Sequence, residues 1–263
     1  FLDAIPCRAD FEALASVPLD SSIPGARSGK VVLDQLGGDV LYFQNSKRFP
    51  IHHDFVSTHL SGGDLPLVPG LSEFNQTEYF APDRRFLLGA ITYHSGPDLW
   101  VLEIAPYDTA SAEMIEKLYR AVAAKAYYGP ALAFHPSSDA VGLEAKKLPA
   151  TIPIKTTDDI YAGIDYQPLN LATAIGRLRF MTAAELSTDY VSFRDIVVLD
   201  DVPNDITVVT GIITAAFQTP LSHINVLSQN RRTPNMGLRN ATTTPALRAL
   251  EGQWVELAVG ALE

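Results

Sequence analysis

The chain has 263 residues, 47% of them apolar and 19% charged, and its 20 Lys and Arg stand against 30 Asp and Glu for a formal charge of −10. That length and composition suit a globular protein of one large or two modest domains with a real core. The acidic balance argues against a nucleic-acid surface, which needs clustered Lys and Arg, and against an anionic membrane.

No apolar run approaches the ~20 residues of a membrane-spanning helix, and no signal peptide is recognisable. The chain begins at Phe1, consistent with a start that has been cut or processed, and the compartment stays open with the cytoplasm favoured. The single cysteine, Cys7, excludes an internal disulfide and a cysteine-rich zinc site.

Residues 1–28 predict an irregular lead-in with one short helix near Phe11–Leu14. "KVVLDQLGGDVLYFQNS" predicts two strands around the turn signal Gly37-Gly38. "FPIHHDFVSTHL" brings together His52, His53, Asp54 and His59, residue types that bind metals. Their spacing matches no closed zinc motif, and on a strand His52 and His53 point to opposite sides. A surface or structural role is expected, with no metal.

The Gly- and Pro-rich "LSGGDLPLVPG" reads as a loop, and "RRFLLGAITYH" and "LWVLEIAPYD" as strands separated by Ser95-Gly96-Pro97. Lys47, Arg48, Arg84 and Arg85 offer an anion site or, more commonly, solvated and ion-paired charges. Asp108 reads equally as a helix-entry cap or a carboxylate catalyst. "SAEMIEKLYRAVAAKAYYG" is the clearest helix. Ser111 caps it, Glu113 complements its first turn, Ile115, Leu118 and Val122 share a face, and Gly129-Pro130 ends it. "ALAFH" reads as a further strand.

The expected fold class is α/β (α+β overall), with an α+β module over 1–150, a connection over 151–167 and a second domain over 168–263. In that domain strands and short helices alternate closely. The strands are "GRLRFM", "RDIVVLD", "ITVVTGIIT", "PNMGL" and "QWVELAVG"; the helices are "TAAELS", "PLSHINVLSQ" and "TTPALRAL". Thr219-Pro220 starts the middle helix, Pro being favoured at a first helical position. Ser222 and His223 then fall in its first turn, where free N–H groups and the positive end of the helix dipole favour an anion. A histidine at a helix start is more often a surface or hydrogen-bonding residue than a nucleophile.

The stretch "DIVVLDDVPNDITVVTGIITAAFQTPLSHINVLSQNRRTP" resembles the phosphohistidine (swivelling) domain of the phosphoenolpyruvate-utilising and pyruvate phosphate dikinase family. The shared elements are the Asp-Ile-Val-Val strand, the Gly-Ile-Ile-Thr strand end, the Ser-His pair and a Pro eleven residues after the histidine; flanking strands extend the likeness over about 168–263. The resemblance implies a β/β/α swivelling domain in which His223 accepts a phosphoryl group and carries it between two active sites. It further implies phosphate binding by Ser222, with Thr214, Asn225, Gln229, Arg231 and Arg232 as supporting polar and charged groups. Two departures stand out. Phe217 and Gln218 stand near the place where the family usually has a Gly-Gly pair, with one extra residue, and Gln229 stands where it often has an Arg.

No Gly-rich phosphate loop of the P-loop or dinucleotide type is present. The resemblance therefore implies no cofactor in this chain. ATP and Mg would sit on a nucleotide-binding kinase domain in cis or in trans, and a small-molecule acceptor such as pyruvate would receive the phosphoryl group. A different class stays open: a docking or ligand-binding protein that keeps the swivelling fold without catalysis.

Overall fold

The computed structural model of the protein describes residues 1–17, 25–36, 38–203, 205–218 and 223–261, without the side chains of Ser187 and His223. By its internal contacts the chain divides into two units, the first ending at Thr156 and the second starting at Thr157. Helices and sheets occur in both, so the overall class is α/β.

In the first unit the elements are α1 (Arg8–Leu14), β1 (Arg27–Asp34), β2 (Val40–Phe43), α2 (His52–His59), α3 (Leu71–Phe80), β3 (Phe86–His94), β4 (Leu99–Glu103), α4 (Ala112–Lys125), β5 (Leu132–Phe134) and α5 (Asp139–Ala145). Its sheet has the order β2-β1-β3-β4-β5, antiparallel except for the parallel pair β4–β5. The period of two sorts side chains onto two faces. Val31, Leu33, Leu87, Ile91 and Leu102 pack against Phe11, Ile115, Leu118 and Val122. Val32, Phe86 and Leu88 pack on the other side against Phe55, Val56, Phe74 and Tyr79. Ser111 caps α4 as its sequence predicts, accepting from the Met114 N–H.

The histidine-rich stretch differs from its expected strand. It is helical, because Phe55, Val56 and Leu60 fall at helical spacing and reach the same core. His52 and His53 are then about 100° apart on a helix rather than on opposite faces of a strand. His52 is buried, its Nε2 3.0 Å from the Gly89 carbonyl and its Nδ1 3.1 Å from the Tyr79 hydroxyl.

The second unit contains α6 (Thr157–Ile160), β6 (Tyr166–Asn170), β7 (Thr173–Met181), β8 (Asp195–Leu199), β9 (Gly211–Thr214), α7 (His223–Arg231), β10 (Asn235–Leu238), α8 (Pro245–Arg248) and β11 (Trp254–Ala258). Its sheet order is β11-β7-β8-β9-β10-β6. The four central strands are parallel, and each edge strand is antiparallel to its neighbour. Ile196, Val198 and Ile213 face one core with Leu178 and Leu257. Val197, Leu199 and Ile212 face the other with Ile224 of α7. "ITVVTGIIT" is shorter as a strand than its apolar run suggests. Only Gly211–Thr214 pairs, while Ile206 and Val209 are buried as a covering segment on the α7 side. The stretch 151–167 is shared between the units, and Tyr166 and Gln167 already belong to β6.

Candidate functional site

Strand β9 lies between β8 and β10, and its chain crosses through α7 into β10 as a parallel βαβ connection. In such a sheet ligands meet the loops that follow the carboxyl ends of the strands. The loop after Thr214 leads there to His223, the first residue of α7. The side chain of His223, and all of Ser222 with residues 219–221, lie outside the described residues.

The described part of this loop ends at Gln218, which lies in a set of buried amides and hydroxyls. Gln167 of β6 clamps the main chain of Gln218, its Nε2 donating to the Gln218 carbonyl at 2.7 Å and its Oε1 accepting from the Gln218 N–H at 2.8 Å. The Gln218 side chain turns inward and donates to Thr214 Oγ1 at 3.0 Å and to Asn235 Oδ1 at 2.9 Å. Asn235 returns a bond from Nδ2 to Gln218 Oε1 at 3.1 Å and gives another to Ser228 Oγ of α7 at 3.2 Å. Ser228 Oγ donates to the Asn225 carbonyl at 2.8 Å, and Asn170 Nδ2 donates to the Ser228 and Thr233 carbonyls. Gln167, Thr214, Gln218 and Asn235 are each 0% exposed. Such a network survives burial only because its members are satisfied.

Of the residues singled out in sequence, Thr214 and Asn225 are thus both buried beside this network. Thr214 Oγ1 is engaged, accepting from Gln218 and donating to the Ala216 carbonyl at 2.7 Å. Gln229 is exposed. Arg231 and Arg232 lie at the far end of α7, about 12 Å along the axis from His223. Arg231 Nη1 donates to the Ile206 carbonyl at 3.1 Å, and Arg232 has a left-handed φ of 55° just past the helix. Gln167, Gln218, Ser228 and Asn235 carry no local sequence signal, since strand pairing between β6, β9 and β10 assembles them.

Phe217, also near the place of the expected Gly-Gly pair, is buried against β10. A Cβ on Gly237 would come 2.7 Å from its Cδ1. Its ring also meets Tyr161 at 4.9 Å and the Arg239 guanidinium at 4.3 Å. Arg239 is itself held by Asp158 and by the carbonyls of Tyr161 and Ile164. Elsewhere in the second unit a groove of about 480 Å³ is lined by Ala183, Leu186, Val202, Pro203, Asp205, Ile206 and Thr207. Its lining is apolar and acidic, which does not suit an anion.

The basic residues of the first unit are largely occupied. Arg84 is buried with Asp108, Nη1 to Oδ1 2.5 Å, and also donates to Thr109 and to the Ala81 and Glu78 carbonyls. Arg85 forms a bidentate pair with Asp34, and Lys47 Nζ donates to the Glu12 carbonyl. Asp108 also accepts from the Ala110 N–H just before α4, a helix-entry role; burial pushes its carboxyl up against the pull of Arg84.

A polar cluster with no local sequence signal lies on the sheet of the first unit. Glu103 Oε1 is 2.7 Å from His135 Nδ1, and Thr92 Oγ1 donates to Glu103 Oε2 at 3.0 Å. Burial raises the Glu103 carboxyl, but His135, His94 and Thr92 outweigh it and hold the group below the usual glutamate range. His94 is buried, neither ring nitrogen has a hydrogen-bond partner among the described residues, and burial lowers its pKa. Among the described residues no three His, Cys, Asp or Glu side chains are placed to hold a metal ion, and no helix is long and apolar enough to cross a membrane. No family model matches the chain, and no curated protein matches it in sequence.

Proposed function

We propose that the second unit is a β/β/α swivelling domain of the phosphohistidine type, carrying a phosphoryl group on His223. A nucleotide-dependent kinase module, in cis or in trans, supplies the group, and a small molecule such as pyruvate receives it. The observation that supports this best is the position of His223 as the first residue of a nine-residue helix behind an inner parallel strand. First-turn N–H groups have no partner within a helix, and the dipole there favours negative charge. These groups, with the Ser222 hydroxyl, would receive the phosphoryl oxygens.

The bare nitrogen of a neutral imidazole attacks phosphorus, forming the P–N bond as the donor's P–O bond breaks. The donor oxygen leaves with the bonding pair, and the other ring nitrogen keeps its proton. Transfer to the acceptor reverses this. Positioning and electrostatics dominate such a reaction. Arg231, at the opposite end of α7, is engaged with the Ile206 carbonyl, and the reading assigns the phosphoryl charge to the helix start.

The test is to treat the full chain with potassium phosphoramidate and map acid-labile phosphate by mass spectrometry and ³¹P NMR. The P–N signal is expected on His223 and is lost in His223→Ala. A variant that keeps the whole signal would overturn the reading. The other reading, docking or ligand binding without transfer, draws on the burial of Phe217 and Gln218 near the place where the resembled family has paired glycines. It predicts no labelling of His223 above that of the exposed His59.

A further inference from the structure

We infer that the open face of β7 and β11 is the surface through which the protein pairs with a second copy of itself. The period of two puts Ile175 and Arg177 of β7 on the same side of the sheet as Met181, and strand register puts Trp254 and Glu256 of β11 there too. Over β8 and β9 this side is covered, with Ile206, Val209 and Ile224 of α7 packing on Val197, Leu199 and Ile212. At β11 and the first half of β7 the cover stops. Ile175 is 64% and Trp254 59% exposed, while Leu178 and Leu257 on the reverse side are buried. Tryptophan is among the side chains that anchor the centres of protein interfaces.

The arrangement of the four side chains selects the partner. Ile175 stands directly opposite Glu256, and Arg177 directly opposite Trp254. The apolar pair therefore occupies one diagonal of the patch and the charged pair the other. Arg177 Nε donates to the Gly252 carbonyl at 3.1 Å, and neither Arg177 nor Glu256 has an ion-pair partner among the described residues. A twofold axis along the apolar diagonal sets Trp254 against Trp254 and Ile175 against Ile175. It also brings Arg177 of each copy near Glu256 of the other. Such self-complementarity is what a closed twofold dimer requires. A partner presenting one dominant charge would leave either Arg177 or Glu256 facing its own sign. The outer edge of β11 gives a poorer union, because full-length antiparallel pairing with another β11 sets Glu256 against Glu256. The inference involves no residue of the His223 loop and stands apart from the transfer reading.

The test is sedimentation velocity on the full chain from low to high micromolar concentration, with circular dichroism to show that each variant is folded. The natural protein should pass from monomer to dimer, and a monomer throughout overturns the inference. Trp254→Lys should raise the dimer dissociation constant by about 10-fold or more, the loss typical of an interface anchor. Arg177→Glu and Glu256→Arg should each weaken the dimer, and the two reversals together should recover most of the natural affinity. A dimer untouched by Trp254→Lys forms through another surface, and a double reversal no tighter than the single ones rules out the crossed charges. Either result overturns the inference.

Acrylamide quenching gives a second measurement that needs no variant. Trp254 is one of two tryptophans, and the other, Trp100, is buried. The fraction of fluorescence that acrylamide reaches should fall as dimer forms, with the same midpoint as the rise in mass. A dimer in which that fraction stays constant leaves Trp254 in water and overturns the inference.

Discussion

Arg84 shows how little a residue's type says about its job. In sequence it is half of an Arg-Arg pair available to an anion, but in the fold two carbonyls, a hydroxyl and a carboxylate enclose it. Removing one partner of a buried ion pair strands the other, at a cost of about 3–5 kcal/mol. Arg84→Met is therefore expected to lower unfolding free energy by about that much in urea titrations, and Arg84→Met with Asp108→Leu by clearly less. Equal losses in the single and double variants would show that packing, not charge, sets the effect. Gly237→Ala is expected to cost about 1–3 kcal/mol through overpacking against Phe217. A thermal midpoint that does not move would show that Phe217 can yield.

For elements, the contrast between α4 and α2 is instructive. The α4 segment carries its own cap, a long apolar stripe and a Gly-Pro stop, and local physics suffices to define it. The α2 segment has only eight residues and two adjacent histidines, and its apolar positions fit a helix only when Leu60 is counted. Its fate was settled by the core that receives Phe55 and Val56. The same packing buries His52, and burial, then the charge of Lys30, lowers its pKa to about 3 against the hydrogen bonds of the Gly89 and Val31 carbonyls.

The unfolded chain takes up this proton near pH 6.5 and the folded one only near pH 3. The stabilising contribution of neutral His52 is complete above pH 6.5 and is lost as pH falls across that window. Unfolding free energy measured against pH should fall more steeply for the natural protein than for His52→Gln between pH 6 and pH 4. The difference should approach about 1.4 kcal/mol per pH unit. Parallel curves would mean that His52 is protonated in the fold.

At the scale of the whole molecule, each unit has its own sheet and its own two-sided core. Autonomous cores are what allow domains to fold separately. A fragment starting at Thr157 is expected to show a single cooperative thermal transition with near-native circular dichroism, and a gradual, probe-dependent melt would contradict it. The division between Thr156 and Thr157 falls within the connection expected over 151–167. In the fold Phe134 and Ile154 form a parallel bridge that keeps the start of that connection on the first unit.

The sequence by itself determined the alternation of strands and helices, the capped α4 helix and the placing of His223 at the start of α7. Those features follow from periodicity, caps and turns within a dozen residues. Tertiary structure alone decided that Arg84 meets Asp108, that Glu103 meets His135, and that Gln218 meets both Gln167 of β6 and Asn235 of β10. Such groups lie 17 to 51 residues apart in the chain. Only strand order and register bring them within hydrogen-bonding distance, and no local pattern encodes either.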